Sequence, residues 1–153
     1  ECRHNLVYWA NGEYLGLGCG AASHLSGWRT RRLATPASYI QALSEGASPL
    51  AEAERLGSAQ VLKETMILAL RTRWGVDLMQ LTRRFGVQEW KLQAFFDGLP
   101  GGLVHRAGRR VRLTARGRDL ANEVFVPLLS TALTLPDSGD SALGTASVAG
   151  GIS

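Results

Sequence analysis

Near the start of the sequence, a histidine precedes two aromatic side chains at a spacing that suits a metal-containing macrocycle. The segment reads Cys2-Arg3-His4-Asn5-Leu6-Val7-Tyr8-Trp9. A neutral imidazole can ligate iron axially, and aromatic rings offer flat apolar surface to a porphyrin. In an extended strand, His4 and Tyr8 share one face and lie about 13 Å apart, which is porphyrin scale. Alternatively, His4 and Asn5 satisfy backbone groups while Tyr8 and Trp9 fill the core.

A glycine-rich loop follows, with the sequence Gly18-Cys19-Gly20-Ala21-Ala22-Ser23. As a dinucleotide fingerprint it fails, because Ser23 stands where a third glycine is required. A strand-end turn without a ligand is one interpretation. Another is a zinc site that joins Cys2-x-His4 to Cys19-x4-His24, although neither spacing fits a standard zinc module.

Charge is distributed unevenly along the 153 residues, whose net charge is +4. Residues 71–118 hold eleven basic groups against three acids, whereas the charged side chains of residues 119–153 are all acidic. No apolar run approaches the roughly 18 residues that span a membrane. Two cysteines are too few for a disulfide framework, so we expect a soluble, cytoplasmic protein.

The first part of the chain has the pattern of strands and one short helix. Asn11-Gly12 predicts a turn between strands at Leu6–Trp9 and Tyr14–Leu17. Thr35 as N-cap and Pro36 at the first helical position predict a helix that ends before Gly46.

The middle of the chain is predicted to be helical. A longer helix is expected to open at Ser48-Pro49 and to end near Trp74-Gly75. Two short helices follow, at Asp77–Arg84 and Gln88–Asp97, each stopped by a glycine. The apolar positions that recur along the longer helix are Leu56, Ala59, Leu62, Met66 and Ala69.

A basic hairpin and a last helix complete the predicted pattern. The hairpin strands are Leu103–Arg106 and Arg110–Leu113. Thr114 is a candidate N-cap for a helix to about Leu129, which Pro127 should kink or shorten. We expect Leu120, Val124 and Leu128 to lie along one face of that helix. The order helix, helix, hairpin, helix is typical of a winged-helix domain.

A winged-helix order raises DNA binding as an alternative of another functional class. The arginines that could contact phosphate are Arg106, Arg109, Arg110, Arg112, Arg116 and Arg118. The helix beside the hairpin, however, has a net charge of −1, and we expect its Trp90 to pack in the core. Recognition helices normally present basic and amide side chains to DNA. We therefore expect no duplex DNA binding, and interpret the arginines as a solvated face or a docking surface.

His4–Trp9 resembles the HNxxYW motif of HemW-type haem chaperones, relatives of the oxygen-independent coproporphyrinogen III oxidases in the radical-SAM superfamily. Farther along, Tyr14–Gly18 resembles the DYLGLG strand of this family. Order and spacing hold from Glu1 to about Leu129. The remaining matches are Tyr39-Ile40, Leu68–Arg71, Gly75–Leu78, Arg84–Gly86, Leu113-Thr114, Gly117-Arg118 and Asn122.

This resemblance implies an α+β fold, in which short strands from the end of a radical-SAM partial barrel precede a mostly helical, winged-helix-like C-terminal domain. Residues 1–34 would be the terminal strands and loop of a truncated barrel, and 35–47 a linking helix. Residues 48–135 would form the helical domain and 136–153 a disordered tail. Because the sequence begins with Glu1 rather than methionine, we expect a fragment of a longer protein.

In this family, an upstream CxxxCxxC motif holds a [4Fe-4S] cluster and the barrel binds S-adenosylmethionine. The motif is missing here, since Cys2 and Cys19 are 17 positions apart and the cluster needs three closely spaced thiolates. We therefore expect that this piece alone cannot cleave S-adenosylmethionine, and we assign it no catalytic residue.

The family histidine that is associated with haem binding corresponds to His4. Tyr8 and Trp9 would be its flanking aromatic residues, and Asn5 a partner that orients it. The resemblance thus implies a haem site at these four residues, with His4 as the metal ligand.

The resemblance also gives the glycine-rich loop a role. In the oxidase relatives this loop approaches S-adenosylmethionine, so Gly18, Gly20 and Ala22 are candidate cofactor-side positions. The family usually reads GxGAHS here, whereas Ala22 replaces that histidine and His24 follows two positions later.

We therefore expect part of a haem chaperone that binds haem and delivers it to an acceptor protein. Its other partner would be the missing N-terminal barrel. The alternative within the resemblance is an oxygen-independent coproporphyrinogen III oxidase, an enzyme of haem biosynthesis. The HNxxYW motif favours the chaperone.

Overall fold

A computed structural model of the protein describes residues 11–133 and residue 135. In this part of the chain, two three-stranded antiparallel sheets are accompanied by six helices. The predicted strand at Leu6–Trp9 and the predicted disordered tail from residue 136 lie outside the described residues.

The first sheet has strands in the order β1-β2-β3. Its first two strands form a hairpin around Ser26 and Gly27, which both have positive φ. That backbone conformation is what a two-residue type I′ turn requires. The strands are β1 (Ala22–Leu25), β2 (Trp28–Arg32) and β3 (Leu50–Arg55).

The prediction of a strand at Tyr14–Leu17 is wrong, because only Tyr14 pairs, through a single bridge to His24. The chain beyond it folds back on itself, and the Gly16 amide donates to the Ser23 hydroxyl at 3.1 Å. A Cβ at Gly16 would overlap the backbone of Ala22, so this close approach depends on glycine. Strand pairing therefore begins later than the sequence pattern predicts.

Helix α1 (Pro36–Ser44) has the boundaries that its capping residues predict. The Thr35 hydroxyl accepts a hydrogen bond from the Ser38 amide at 3.3 Å. Gly46 follows the helix with a φ of 70°, the left-handed conformation that glycine adopts most readily. The prediction for this helix is confirmed.

The prediction that a helix opens at Ser48-Pro49 is wrong. Residues Leu50–Arg55 form β3 instead, and helix α2 (Ser58–Leu70) begins after Gly57. Strand β3 pairs with β2, and Arg31 binds Glu52 at 2.6 Å across this pair. Pairing with a distant strand thus overrides the helical preference of the alanine and glutamate residues in this segment.

Helix α2 supplies the centre of the hydrophobic core. Leu62 and Met66 have no exposed surface, as their three- and four-residue spacing predicts. Ala59 and Ala69 are half-buried on the same helix, and Leu56 is buried just before it. Burial of this face holds α2 against the second sheet and the helices that follow.

After α2, the chain forms a winged-helix arrangement. The strand β4, which the sequence pattern did not indicate, pairs with β6, and the second sheet has the order β4-β6-β5. Two predicted helices and the predicted hairpin are confirmed at nearly the expected positions. These elements are β4 (Val76–Asp77), α3 (Leu78–Phe85), α4 (Glu89–Asp97), β5 (Val104–Ala107) and β6 (Arg110–Leu113).

The last predicted helix is divided into α5 (Ala115–Asp119) and α6 (Asn122–Ser130). The division falls at Leu120, which has a non-helical backbone and is exposed, so the prediction that it shares one helix face with Val124 and Leu128 is wrong. Pro127 lies inside α6. Val124 and Leu128 are fully buried, as predicted, and the chain must change direction after α5 to bring them to the core.

Helix α4 buries Leu92 and Phe96, but the expectation that Trp90 packs in the core is wrong. The Trp90 side chain is 62% exposed and its indole donates to the Gln88 side chain at 2.5 Å. The α+β fold class with a winged-helix-like C-terminal domain is confirmed. Among the described residues, no helix combines the length and apolar character needed to cross a membrane.

Candidate functional site

The four predicted haem-binding residues, His4, Asn5, Tyr8 and Trp9, lie outside the described residues. The glycine-rich loop and the residues directly after the HNxxYW motif lie within them. The candidate site is therefore built from the part of the chain that adjoins this motif in sequence.

Asn11, two residues after the motif, is fixed between two helices. Its side-chain amide donates to the hydroxyl of Thr65 at 3.2 Å, and only 7% of the residue is exposed. The backbone carbonyl oxygen of Asn11 accepts a hydrogen bond from the Arg84 guanidinium at 3.0 Å. Asn11 also has a φ of 48°, a left-handed conformation that asparagine tolerates better than most residues. The chain that leaves the motif is thus held against α2 and α3.

Thr65 is the polar residue on the buried face of α2 that receives Asn11. Its hydroxyl donates to the Val61 carbonyl at 2.7 Å, one turn earlier in the helix, and accepts from Asn11. Threonine commonly bonds in this way within helices. Because its donor and an acceptor site are both used, this buried hydroxyl is satisfied within the protein.

A pocket of about 310 Å³ lies beside Asn11. One wall carries Arg29 of β2 and Glu64 of α2, whose side chains meet at 2.5 Å. This hydrogen bond to the Glu64 carboxylate raises the pKa of Arg29, so the guanidinium stays charged and neutralised by its partner. The residues that line the pocket are Asn11, Tyr14, Arg29, Glu64, Ile67 and Leu68.

His24 is the buried imidazole of this region, with 5% of its surface exposed. Its ring meets the ring of Tyr14 edge-on, with centroids 6.4 Å apart, and the two backbones exchange hydrogen bonds at 2.9 Å. Within the described part of the chain, its side chain makes no hydrogen bond. His24 therefore packs against Tyr14, next to the pocket, rather than joining the exposed glycine-rich loop.

The predicted cofactor-side positions Gly18, Gly20 and Ala22 lie on one turn that leads into β1. Gly18 and Gly20 have φ values of 94° and 68°, which side-chain-bearing residues rarely adopt. A Cβ at Gly18 would meet no atom of the described residues within 4 Å. Ala22 is the exposed first residue of β1. The turn thus needs these two glycines for its conformation.

The described residues do not form a metal centre. They contain no group of three or more histidine, cysteine, aspartate or glutamate side chains placed to hold a metal ion. Cys19 is exposed and free. Cys2 and His4, two of the four ligands of the alternative zinc site, lie outside the described residues. With two cysteines in the sequence, this chain cannot supply the three thiolates of a [4Fe-4S] cluster.

The sequence pattern did not single out the Asn11–Thr65 contact or the Arg29–Glu64 pair. Each contact joins residues far apart in the chain, and neither shows a characteristic local spacing. Thr65 carries the one readable signal, because it is a polar residue among apolar positions on the core face of α2.

Known proteins resemble this chain in both sequence and fold. The family model for the HemN C-terminal domain matches residues 56–120. A Bacillus subtilis protein named heme chaperone HemW is 32% identical over 130 residues, which make up 82% of this chain and 34% of that protein. A Mycobacterium tuberculosis protein with the same name is 35% identical over 129 residues, 84% of this chain and 32% of that protein.

A solved Escherichia coli structure, described as coproporphyrinogen III oxidase (HemN), a radical SAM enzyme, has a TM-score of 0.61 to this chain. The two sequences are 19% identical, and the match covers 76% of this chain and 28% of the Escherichia coli chain. This likeness shows the fold. The chain spans about a third of the length of the curated relatives it matches. The model of the HemN C-terminal domain thus matches this chain at residues 56–120, and the predicted resemblance of the chain to the HemW and HemN proteins is confirmed.

Proposed function

We propose that this chain is the part of a haem chaperone that binds haem as its cargo, with His4 as the axial iron ligand. The observation that carries this proposal is the HNxxYW segment at residues 4–9, in a chain that is similar to HemW proteins over more than four fifths of its length. A histidine nitrogen is a common protein ligand of haem iron. Tyr8 and Trp9 would cover the porphyrin, and Asn5 would orient the imidazole.

The anchoring of Asn11 supports this role, because a metal ligand needs a supporting frame that limits its motion. The hydrogen bonds from Asn11 to Thr65 and from Arg84 to Asn11 attach the chain after the motif to the buried core. The haem segment would thus be connected to a rigid helical unit.

The longer protein would add the chemistry that this chain lacks. A [4Fe-4S] cluster and S-adenosylmethionine would belong to the missing N-terminal barrel, since these residues provide no cluster ligands. Gly18, together with Gly20 and Ala22, would face the S-adenosylmethionine side of that barrel. We place the whole protein in the cytoplasm, where it would pass haem to an acceptor protein.

The ion pairs of the hairpin region argue against the duplex DNA alternative. Three arginines that could have contacted phosphate bind carboxylates of the same domain instead. The pairs are Arg106 with Asp97 at 3.2 Å, Arg109 with Glu89 at 3.1 Å and Arg110 with Asp77 at 3.4 Å. Two of these carboxylates, Asp97 and Glu89, belong to helix α4, which precedes the hairpin.

A haemin titration of the 153-residue chain tests the proposal through the Soret absorption band. We expect His4→Ala to weaken haemin binding by roughly tenfold or more and to change the Soret maximum, because iron loses an axial ligand. Gln41→Ala is the control, since it removes an exposed polar side chain of α1 and should leave both the spectrum and the affinity unchanged. Identical spectra and affinities for the native chain and His4→Ala would refute the assignment.

A further inference from the structure

A second pocket, of about 490 Å³, lies where the end of α2 meets the hairpin and helix α5. Its polar lining is almost entirely basic, and none of the described residues that line it is an aspartate or glutamate. Two leucines, Leu70 and Leu113, are buried beneath it. The lining residues are Leu70, Arg71, Thr72, Arg73, His105, Arg112, Leu113 and Arg118.

The basic side chains of this pocket differ from the other hairpin arginines in their partners. Arg106, Arg109 and Arg110 each bind a carboxylate of the domain. Within the described residues, by contrast, neither Arg71 nor Arg112 forms an ion pair. Among the described residues, Asp77, Glu89 and Asp97 bind the other hairpin arginines, so they do not neutralise the positive charges of Arg71 and Arg112.

Contacts with neighbouring groups position several of the pocket guanidinium groups. The Arg71 guanidinium lies 5.2 Å from the centroid of the Phe125 ring, and that of Arg73 lies 4.6 Å from the Trp74 ring. Arg118 donates to the Leu113 carbonyl at 3.4 Å. Such contacts limit the side-chain freedom that binding would otherwise remove.

Strand pairing also places two basic side chains directly opposite each other. His105 of β5 is in register with Arg112 of β6, and both residues are exposed. An anion bound between these two side chains could accept hydrogen bonds from both the Arg112 guanidinium and the His105 ring.

We propose that this pocket binds a small molecule through phosphate or carboxylate groups. A guanidinium can donate two parallel hydrogen bonds to the oxygens of a phosphate or a carboxylate. The volume of the pocket is within the range of small-molecule sites. Its concave shape and the paired arginines elsewhere on the hairpin favour a small anion over a nucleic acid backbone. This site goes beyond the proposed haem function and does not depend on it.

Calorimetric titration of the full chain with inorganic pyrophosphate and, separately, with citrate tests the proposal. We expect one-to-one binding of at least one of them, and the tighter of the two assigns phosphate or carboxylate as the preferred group. Arg71→Gln and Arg112→Gln should each weaken that binding about fivefold or more, because each removes a charged hydrogen-bond donor. Arg83→Gln is the matched control, since this exposed arginine of α3 lies outside the pocket and should change binding less than about twofold.

The imidazole NMR signals of His105, followed at constant pH, provide a readout that a purely structural role would not change. Bound anion should shift these signals, since the imidazole lines the pocket. The absence of binding by both anions to the native chain would overturn the proposal. Equal weakening by Arg83→Gln would also overturn it, and so would tight binding of a short DNA duplex where both small anions fail.

Discussion

Replacing Gly117 with alanine tests how the C-terminal helices are attached to the hairpin. Gly117 is buried in α5, the helix that carries Arg118 to the basic pocket. A Cβ on Gly117 would lie 2.8 Å from the carbonyl carbon of Leu103 and 3.2 Å from its Cα, and would overlap its oxygen. Helix propensity alone predicts the opposite effect, because alanine is more favourable than glycine in a helix by about 1 kcal/mol.

The steric effect should exceed the gain in helix propensity. The Leu103 carbonyl cannot move freely, because it accepts hydrogen bonds from the Thr114 amide at 3.0 Å and from the Thr114 hydroxyl at 3.3 Å. Overpacking a tight site costs about 1–3 kcal/mol, and each lost hydrogen bond adds about 1 kcal/mol. We therefore expect Gly117→Ala to lower the free energy of unfolding by about 1–3 kcal/mol after the propensity gain is included.

Urea denaturation followed by circular dichroism measures this change, with Gly98→Ala as the matched control. Gly98 has a negative φ, and a Cβ there would make ordinary contacts of 3.4 Å with the Ala94 oxygen and 3.6 Å with the Phe95 oxygen. Gly98→Ala should therefore be neutral or stabilise the protein by up to about 1 kcal/mol. A Gly117→Ala variant as stable as the native chain would show that the Leu103 contact does not constrain α5.

Leu62→Ala should lower the free energy of unfolding by about 2–5 kcal/mol because Leu62 is fully buried. The control Leu129→Ala should lower it by less than about 1 kcal/mol because Leu129 is 55% exposed. Equal losses in urea denaturation would contradict the assignment of Leu62 to the core. Thr65→Val should cost about 1–3 kcal/mol by leaving the Asn11 amide without its side-chain acceptor, and unchanged thermal stability would contradict this. Asp77→Ala should lower the free energy of unfolding by about 1 kcal/mol and accelerate hydrogen exchange of the Met79 and Gln80 amides, which donate hydrogen bonds to the Asp77 carboxylate. Unchanged exchange of these amides would show that this cap is unimportant.

Features that depend on neighbouring residues could be predicted from the sequence. Thr35 and Pro36 define the start of α1, since a cap acts within one helical turn. Asp77 and Gly86 bracket α3 for the same reason. Leu62 faces the core as its spacing predicts, because helical periodicity directly reflects which face is buried.

Features that depend on distant residues could not be predicted in this way. The segment Leu50–Arg55 has helical preference but pairs with β2, a strand that the sequence pattern did not identify. Trp90 is apolar and occupies a helical position, yet its ring faces solvent. The contact of Asn11 with Thr65 spans 54 residues, a separation at which no local pattern carries information.

The candidate haem site depended on a motif rather than on periodicity. The residue types of His4 and Tyr8 permit a haem ligand, but they equally permit a satisfied strand entrance. The HNxxYW resemblance favoured haem, and the position of these residues remains a prediction.

The most direct test of the haem proposal compares haemin with iron-free protoporphyrin IX, which has the same ring and carboxylates. If His4 ligates iron, the native chain should bind haemin roughly tenfold or more tightly than protoporphyrin IX, since only haemin offers a coordination bond. In His4→Ala, the two affinities should become nearly equal. Equal affinities in the native chain, or an undiminished preference for haemin in His4→Ala, would contradict the proposal that this chain holds haem through His4.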